Sequence, residues 1–155
     1  MPKARVDDLT FYALLSVLQG GMWLLNDIED FLKPYGISHG RFSILLALLQ
    51  SADAALISRE IAVLLGKSKP TVARMLERLA SDGLIRRHGD SADGRKQRIT
   101  LTGEATALLG RIVPAYNRRI ARMCRGLTAA DKRNLMRIIA RVDFLDPHRT
   151  IAIAG

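Results

Sequence analysis

The sequence predicts a mainly helical fold with one small β-hairpin, and three observations carry that expectation. Apolar residues recur at helical spacing through most of the chain. Gly66 and a Ser68-Lys69-Pro70 start follow one another so closely that two helices must meet across a tight turn. A basic segment ending at Leu101 reads as two short strands around a glycine-containing loop. At 155 residues, one protomer spanning 1–155 is expected, long enough to bury a real core.

A first helix is expected from Asp7 to Phe31, where Leu14, Leu15, Leu18, Met22, Leu25 and Ile28 keep helical spacing and Asp7 or Asp8 can cap the start. Gly20 and Gly21 each cost about 1 kcal/mol against Ala inside a helix, so the pair predicts a bend or a close approach by another helix. Ser38 opens a second helix through Phe42, Ile44, Leu45, Leu48 and Leu49, which ends at Gln50-Ser51 and reads as buried on most sides. After the linker Ala52 to Ala55, an extended pair Leu56-Ile57 leads to Ser58, expected to cap a short helix ending at Leu65. Gly66 suits the left-handed position that closes it.

Ser68 offers a side-chain oxygen to the free amides of the next helix, and Pro70 falls in its first turn, where a missing N–H costs least. The helix should run to about Asp82 and stop at Gly83. Val72, Met75, Leu76 and Leu79 form its apolar stripe, leaving Lys69, Thr71, Ala73, Arg74 and Arg78 to face outward. Leu84 to His88 and Gln97 to Leu101 read as strands around a loop from Gly89 to Lys96. Thr102 caps a helix carrying Ala105, Leu108, Leu109, Ile112, Val113, Tyr116 and Ile120, which Pro114 is expected to kink or split. Thr128 with Asp131 resembles a capping box for a last helix bearing Leu135, Ile138, Ile139 and Val142.

Two helices across a tight turn, the second of them basic, followed by a hairpin: this is the plan of a winged helix-turn-helix. In that plan the second helix enters a DNA major groove and the loop reaches toward the neighbouring minor groove. The expected architecture is a winged helix-turn-helix part over residues 36–101, with helical dimerisation parts over 5–33 and 102–145. Charge agrees. Lys and Arg number 24 against 15 Asp and Glu, a formal net charge of +9. Between Gly66 and Arg98, Lys67, Lys69, Arg74, Arg78, Arg86, Arg87, Arg95, Lys96 and Arg98 face only Glu77, Asp82, Asp90 and Asp93. The excess alone favours any polyanion; its position on the second helix and the hairpin favours DNA.

Other classes lose ground. Cys124 is the single cysteine, so no intramolecular disulfide is expected, and the N-terminus shows no secretory pattern. No apolar run comes near the roughly 20 residues a membrane span needs, so a cytoplasmic chain without a membrane partner is expected. His39, His88 and His148 lack paired ligand spacing, which argues against a metal, and no other cofactor is implied. An enzyme is not expected, for want of a nucleophile–base pair or a phosphate-binding glycine loop. A constitutive architectural nucleic-acid-binding protein is the alternative to a regulator. A further series, Arg111, Arg118, Arg119, Arg122, Arg125, Arg133, Arg137 and Arg141, reads as a solvated face of the C-terminal helices.

The run LGKSKPTVARMLERLASDGLIRRHGDSADGRKQRITLTGEATALL, Leu65 to Leu109, resembles the MarR (multiple antibiotic resistance regulator) family of bacterial transcription factors. Ser68-Lys69-Pro70-Thr71-Val72 is similar to the start of that family's recognition helix. Asp93-Gly94-Arg95 is similar to its D-x-R wing tip, and Leu101-Thr102-Gly103 to its wing exit. Two departures stand out: Ile57 replaces a common capping Thr or Ser, with Ser58 expected to take over, and His39-Gly40 replaces a Pro-Ala-like start.

The resemblance implies a homodimer on a pseudo-palindromic operator, most simply a repressor released by a small aromatic acid. On a duplex, Lys67, Lys69 and the wing cations, Lys96 among them, would neutralise phosphates. Ser68, Thr71, Arg74 and Arg78 would lie near base edges, beside Pro70 in the first turn. By resemblance Arg95 would enter the minor groove, with Asp93 orienting Arg95 or a recognition-helix Arg. Trp23, His39, Arg41 and Phe42 are the candidates for effector contact. Cys124, among arginines, reads more plainly as an inert thiol than as a redox sensor.

Overall fold

The computed structural model describes residues 7–89 and 97–142. By internal contacts the chain forms two compact units, residues 1–39 and 40–155.

In the first unit, α1 (Asp8–Leu32) leads into a 3-10 turn (Lys33–Tyr35). The start follows from Asp7, whose carboxylate accepts the Thr10 N–H at 2.9 Å and the Thr10 hydroxyl at 2.7 Å. These bonds favour the ionised form and hold Asp7 below its ordinary value. The helix runs unbroken through Gly20 and Gly21, and a Cβ at either would meet nothing within 4 Å. The expected close approach is therefore not made among the described residues. Gly36, at φ 68°, ends the 3-10 turn in the left-handed region.

One expectation fails here. The stretch Asp8–Tyr35 is long and apolar enough, by length and composition, to cross a membrane. The interruptions Gly20, Gly21 and Asn26 are too few and too weakly polar to lower the average over 18 residues. Much of that apolar surface is bare: Leu9 is 80% exposed, Leu18 60% and Trp23 70%.

The second unit holds α2 (His39–Gln50, its first residue in the other unit), β1 (Ala55–Ile57), α3 (Ser58–Leu65), α4 (Lys69–Ser81), β2 (Ile85–His88), β3 (Arg98–Leu101), α5 (Gly103–Met123) and α6 (Ala129–Ala140). Its buried residues come from nearly every one of these elements. They include Ile44, Leu45 and Leu48 of α2, Ile61 of α3, Val72, Leu76 and Leu79 of α4, Ile85 and Ile99 of the strands, and Leu109 and Ile112 of α5. Each side chain of this size stabilises by about 1.5–3 kcal/mol when fully buried.

The strands form one antiparallel sheet in the order β1-β3-β2, with Leu56 opposite Ile99 and Arg87 opposite Ile99. The extended pair Leu56-Ile57 thus belongs to the wing's sheet, a long-range pairing that local sequence pattern does not announce. The α5 start is tied to this sheet. Thr102 accepts the Ala105 N–H at 3.2 Å and donates its hydroxyl proton to the Gly83 carbonyl at 2.8 Å, while its own N–H reaches the Leu84 carbonyl at 3.1 Å.

One local expectation needs correction and another is narrowed. Ser58 is the first residue of α3 rather than its cap; Ile57 occupies the cap position, and the Glu60 carboxylate accepts the Ile57 N–H at 2.8 Å. Pro114 does not split α5, which continues to Met123. The residue four before it, whose carbonyl the proline ring crowds, is Gly110, with open space around it, so the backbone can adjust there. The expected capping box of α6 is present, Asp131 N–H donating to Thr128 Oγ1 at 3.1 Å and Thr128 N–H to Asp131 Oδ2 at 2.9 Å.

Candidate nucleic-acid interface

The helix pair α3–α4 is set by its turn. Gly66 takes φ 58°, a left-handed conformation that ends α3 without a Cβ clash, and the Lys67 N–H returns to the Ala62 carbonyl at 3.1 Å. Ser68 then caps α4. Its Oγ lies 3.4 Å from the Thr71 N and 2.8 Å from the Thr71 hydroxyl, while the Ser68 carbonyl accepts the Val72 N–H at 3.0 Å. Pro70 stands in the first turn, where it interrupts no helical bond.

Helical geometry sorts α4 into faces. Val72, Leu76 and Leu79 are 0%, 2% and 0% exposed and anchor the helix to the core. Thr71, Arg74 and Arg78, spaced three and four apart, run as one stripe on the outer side, with Arg74 and Arg78 exposed and Thr71 half-buried. Lys67, Ser68, Lys69 and Pro70 are also exposed at the helix start. Among the described residues, Lys67, Lys69 and Arg74 make no ion pair. Three cations thus stand without an ion pair among the described residues, on and before a helix anchored to the core. That arrangement can meet a polyanion without first breaking internal bonds.

Between this stripe and the core, the flank of α4 meets α2. A Cβ at Gly40 would lie 2.9 Å from Met75 Cε, so the Met75 side chain fills the space that a side chain at position 40 would take. One residue on, Arg41 Nη1 approaches Asp82 Oδ2 at 2.7 Å, and Arg78 Nε approaches Asp82 Oδ1 at 3.2 Å. Asp82 is the C-cap of α4, and Gly83 follows at φ 70°. Sequence reasoning missed this cluster, because Arg41 and Asp82 are 41 positions apart.

Sequence reasoning passes over Arg59 and counts Arg87 only within the basic segment. A cleft of about 370 Å³ lies between the α3 start, α4 and the strands, lined by Ile57, Ser58, Arg59, Ala73, Leu76, Arg87, Gln97 and Ile99. Arg87 shares a sheet face with buried Ile85, stands opposite buried Ile99 and lines this cleft. The β1–β3–β2 register is the signal that would have found it. Asp93, Arg95 and Lys96 lie outside the described residues.

The effector candidates sit as follows. Trp23 is 70% exposed on α1, and the His39 N–H donates to Glu29 Oε1 at 3.1 Å; both belong to the first unit. Arg41 is bonded to Asp82, and Phe42 is 1% exposed with its ring 5.1 Å from that of Tyr116; both belong to the second. Burial raises the Tyr116 hydroxyl above its ordinary value. Cys124 is half-buried at the C-cap of α5. Among the described residues no group of three or more His, Cys, Asp or Glu side chains is arranged to hold a metal.

Known proteins agree with this geometry. The profile of the MarR family matches residues 35–96, a stretch that begins at the end of the 3-10 turn and includes α2, β1, α3, α4 and β2. The HTH-type transcriptional repressor YetL of Bacillus subtilis (strain 168) is 28% identical over 129 residues, covering 83% of this chain and 77% of that protein. Sco3205, a MarR family transcriptional regulator from Streptomyces coelicolor solved in complex with DNA, superimposes with a TM-score of 0.82 at 23% identity, over 90% of both chains. AbsC, another such regulator from that organism, gives 0.81 at 19% identity, over 90% of this chain and 94% of its own. These relatives are regulators of transcription, not enzymes.

Proposed function

The chain belongs to the MarR family of transcriptional regulators, and from that premise we propose that it is a repressor that binds a pseudo-palindromic operator as a homodimer. The observation that carries the reading is the outer stripe of α4, Thr71, Arg74 and Arg78, standing over a fully buried underside. A helix so anchored presents its cations in fixed geometry, and an Arg fork matches the acceptors of guanine in the major groove. Lys67, Ser68, Lys69 and Pro70 surround the helix start, which is the end that approaches base edges in this class of motif. Asp93, Arg95 and Lys96 of the wing are assigned to DNA by their sequence resemblance. The name of the relative YetL supports repression.

One recognition helix covers too few base pairs for genomic specificity, so a two-fold dimer is the economical solution. The bare apolar residues of α1 and α6, Leu14, Leu18 and Met22 together with Leu135 and Ile138, favour it, each being more than half exposed in the single chain. In this reading a second copy covers α1 in place of a bilayer, and the protein acts in the cytoplasm, where the operator is. A small aromatic acid is the proposed releasing ligand. Trp23 offers it a bare ring and His39 a polar contact, whereas Arg41 is engaged by Asp82 and Phe42 by the core.

Selection of bound duplexes from a random pool, followed by a titration of phenolic acids against the complex, tests the proposal. Recovery of a two-fold symmetric sequence released by one such acid is the expected result. Equal binding of all duplexes, with steep salt dependence, would instead show an architectural protein.

A further inference from the structure

We propose that Arg41, at the start of α2, is a positioning residue for DNA recognition: it shares the Asp82 carboxylate with Arg78 and so leaves the two terminal nitrogens of Arg78 directed at the duplex. The inference rests on the DNA-binding reading above and goes beyond it by assigning a role to a residue that does not itself touch DNA.

The carboxylate is held by the backbone on which it sits. Asp82 donates its N–H to the Arg78 carbonyl at 2.9 Å, and the chain then reverses at Gly83 so that Leu84 N–H reaches the Leu79 carbonyl at 2.9 Å. From the other side, the end of the Met75 side chain on α4 lies against Gly40 in the first turn of α2. Arg41 reaches Asp82 from that same turn. Its side chain is only 17% exposed, against 68% for Arg78, so the 2.7 Å bond is the shielded member of the pair.

A carboxylate has two oxygens, and here each has one guanidinium. Arg41 Nη1 takes Oδ2; Arg78 reaches Oδ1 through Nε at 3.2 Å. An arginine whose Nε faces the carboxylate can keep both Nη groups as a fork, able to meet two acceptors at once, whether N7 and O6 of a guanine or two oxygens of a phosphate. Arg78 lies on the same outer stripe as Thr71 and Arg74, so the fork faces where the duplex would lie. Without Arg41, both carboxylate oxygens become available to Arg78. The favoured geometry is then a bidentate pair, which occupies part of the fork and draws it toward Asp82.

The test uses the full-length protein and a duplex selected from a random pool, with affinity read by fluorescence anisotropy and fold by circular dichroism. Arg78→Ala should weaken binding about 5- to 150-fold, the range of one bidentate contact. Arg41→Ala should fall in the same range, and the double variant should be no weaker than Arg78→Ala alone. Adding Asp82→Asn to Arg41→Ala should restore most of the affinity, because the competing carboxylate is gone; a merely structural role for Arg41 would not be rescued this way. Should Arg41→Ala fail to fold, Arg41→Met keeps the apolar stem and removes the charge.

An equal loss for selected and mismatched duplexes would assign the fork to a phosphate, and a loss confined to the selected duplex to a base; either supports the proposal. Wild-type affinity in Arg41→Ala, or multiplicative losses in the double variant, would overturn it while leaving the DNA-binding reading intact. Failure of the wild-type protein to prefer any duplex would overturn both.

Discussion

Replacing Arg74 by Ala separates recognition from folding. Arg74 is exposed on the side of α4 away from Val72, Leu76 and Leu79, and it makes no ion pair among the described residues. Its removal leaves no buried group without a partner and opens no cavity, so stability should change by less than about 0.5 kcal/mol. If Arg74 forks onto a guanine, the loss at each half-site is about 1–3 kcal/mol, or roughly 5- to 150-fold. If it meets a phosphate instead, all duplexes lose equally and the salt slope falls by about 0.9 per contact. Anisotropy titration of the selected and a scrambled duplex, at two salt concentrations, distinguishes these outcomes. Wild-type affinity for both duplexes at both salts would refute the reasoning that the outer stripe meets DNA.

The same geometry sets further expectations. Leu79→Ala, at a fully buried position, should cost about 2–5 kcal/mol in urea unfolding; a loss below about 1 kcal/mol would mean α4 is not anchored as described. Leu18→Glu, on the bare face of α1, should convert the dimer to a monomer in sedimentation, and an unchanged dimer would remove α1 from the interface. The hydrogen bonds from Thr128 hold Asp131 below its ordinary 3.8. With the folded value depressed, the contribution to α6 is complete above 3.8 and is lost as the pH falls through the lower folded value. Thr128→Val should move the Asp131 titration, followed by NMR, back toward 3.8; an unchanged titration would contradict the capping bond.

What could be read from the sequence was local. Ser68, Thr102 and Thr128 each lie beside the amides they cap, and Gly66 and Gly83 lie where the chain must turn left-handed, so the starts of α4, α5 and α6 and the end of α4 were foreseeable to within a residue or two. The outer stripe of α4 followed from period alone. Contacts between distant segments did not. The pairing of β1 with β3, the meeting of Arg41 with Asp82, and the cleft that gathers Arg59 and Arg87 depend on how elements pack, and no short window encodes them. Glu60 capping Ile57 was missed for a different reason: Ser58 carries the more familiar capping side chain but stands one position too late.

Methylation interference on the selected operator tests most directly whether α4 reads a major groove. N7 of guanine is exposed only there, so a methyl group at that atom blocks a helix lying in the groove. The expected pattern is loss of binding when guanines are methylated in two clusters about 10 base pairs apart, one for each recognition helix of a dimer. Undiminished binding to fully N7-methylated duplex would contradict the placement of Thr71, Arg74 and Arg78 at base edges.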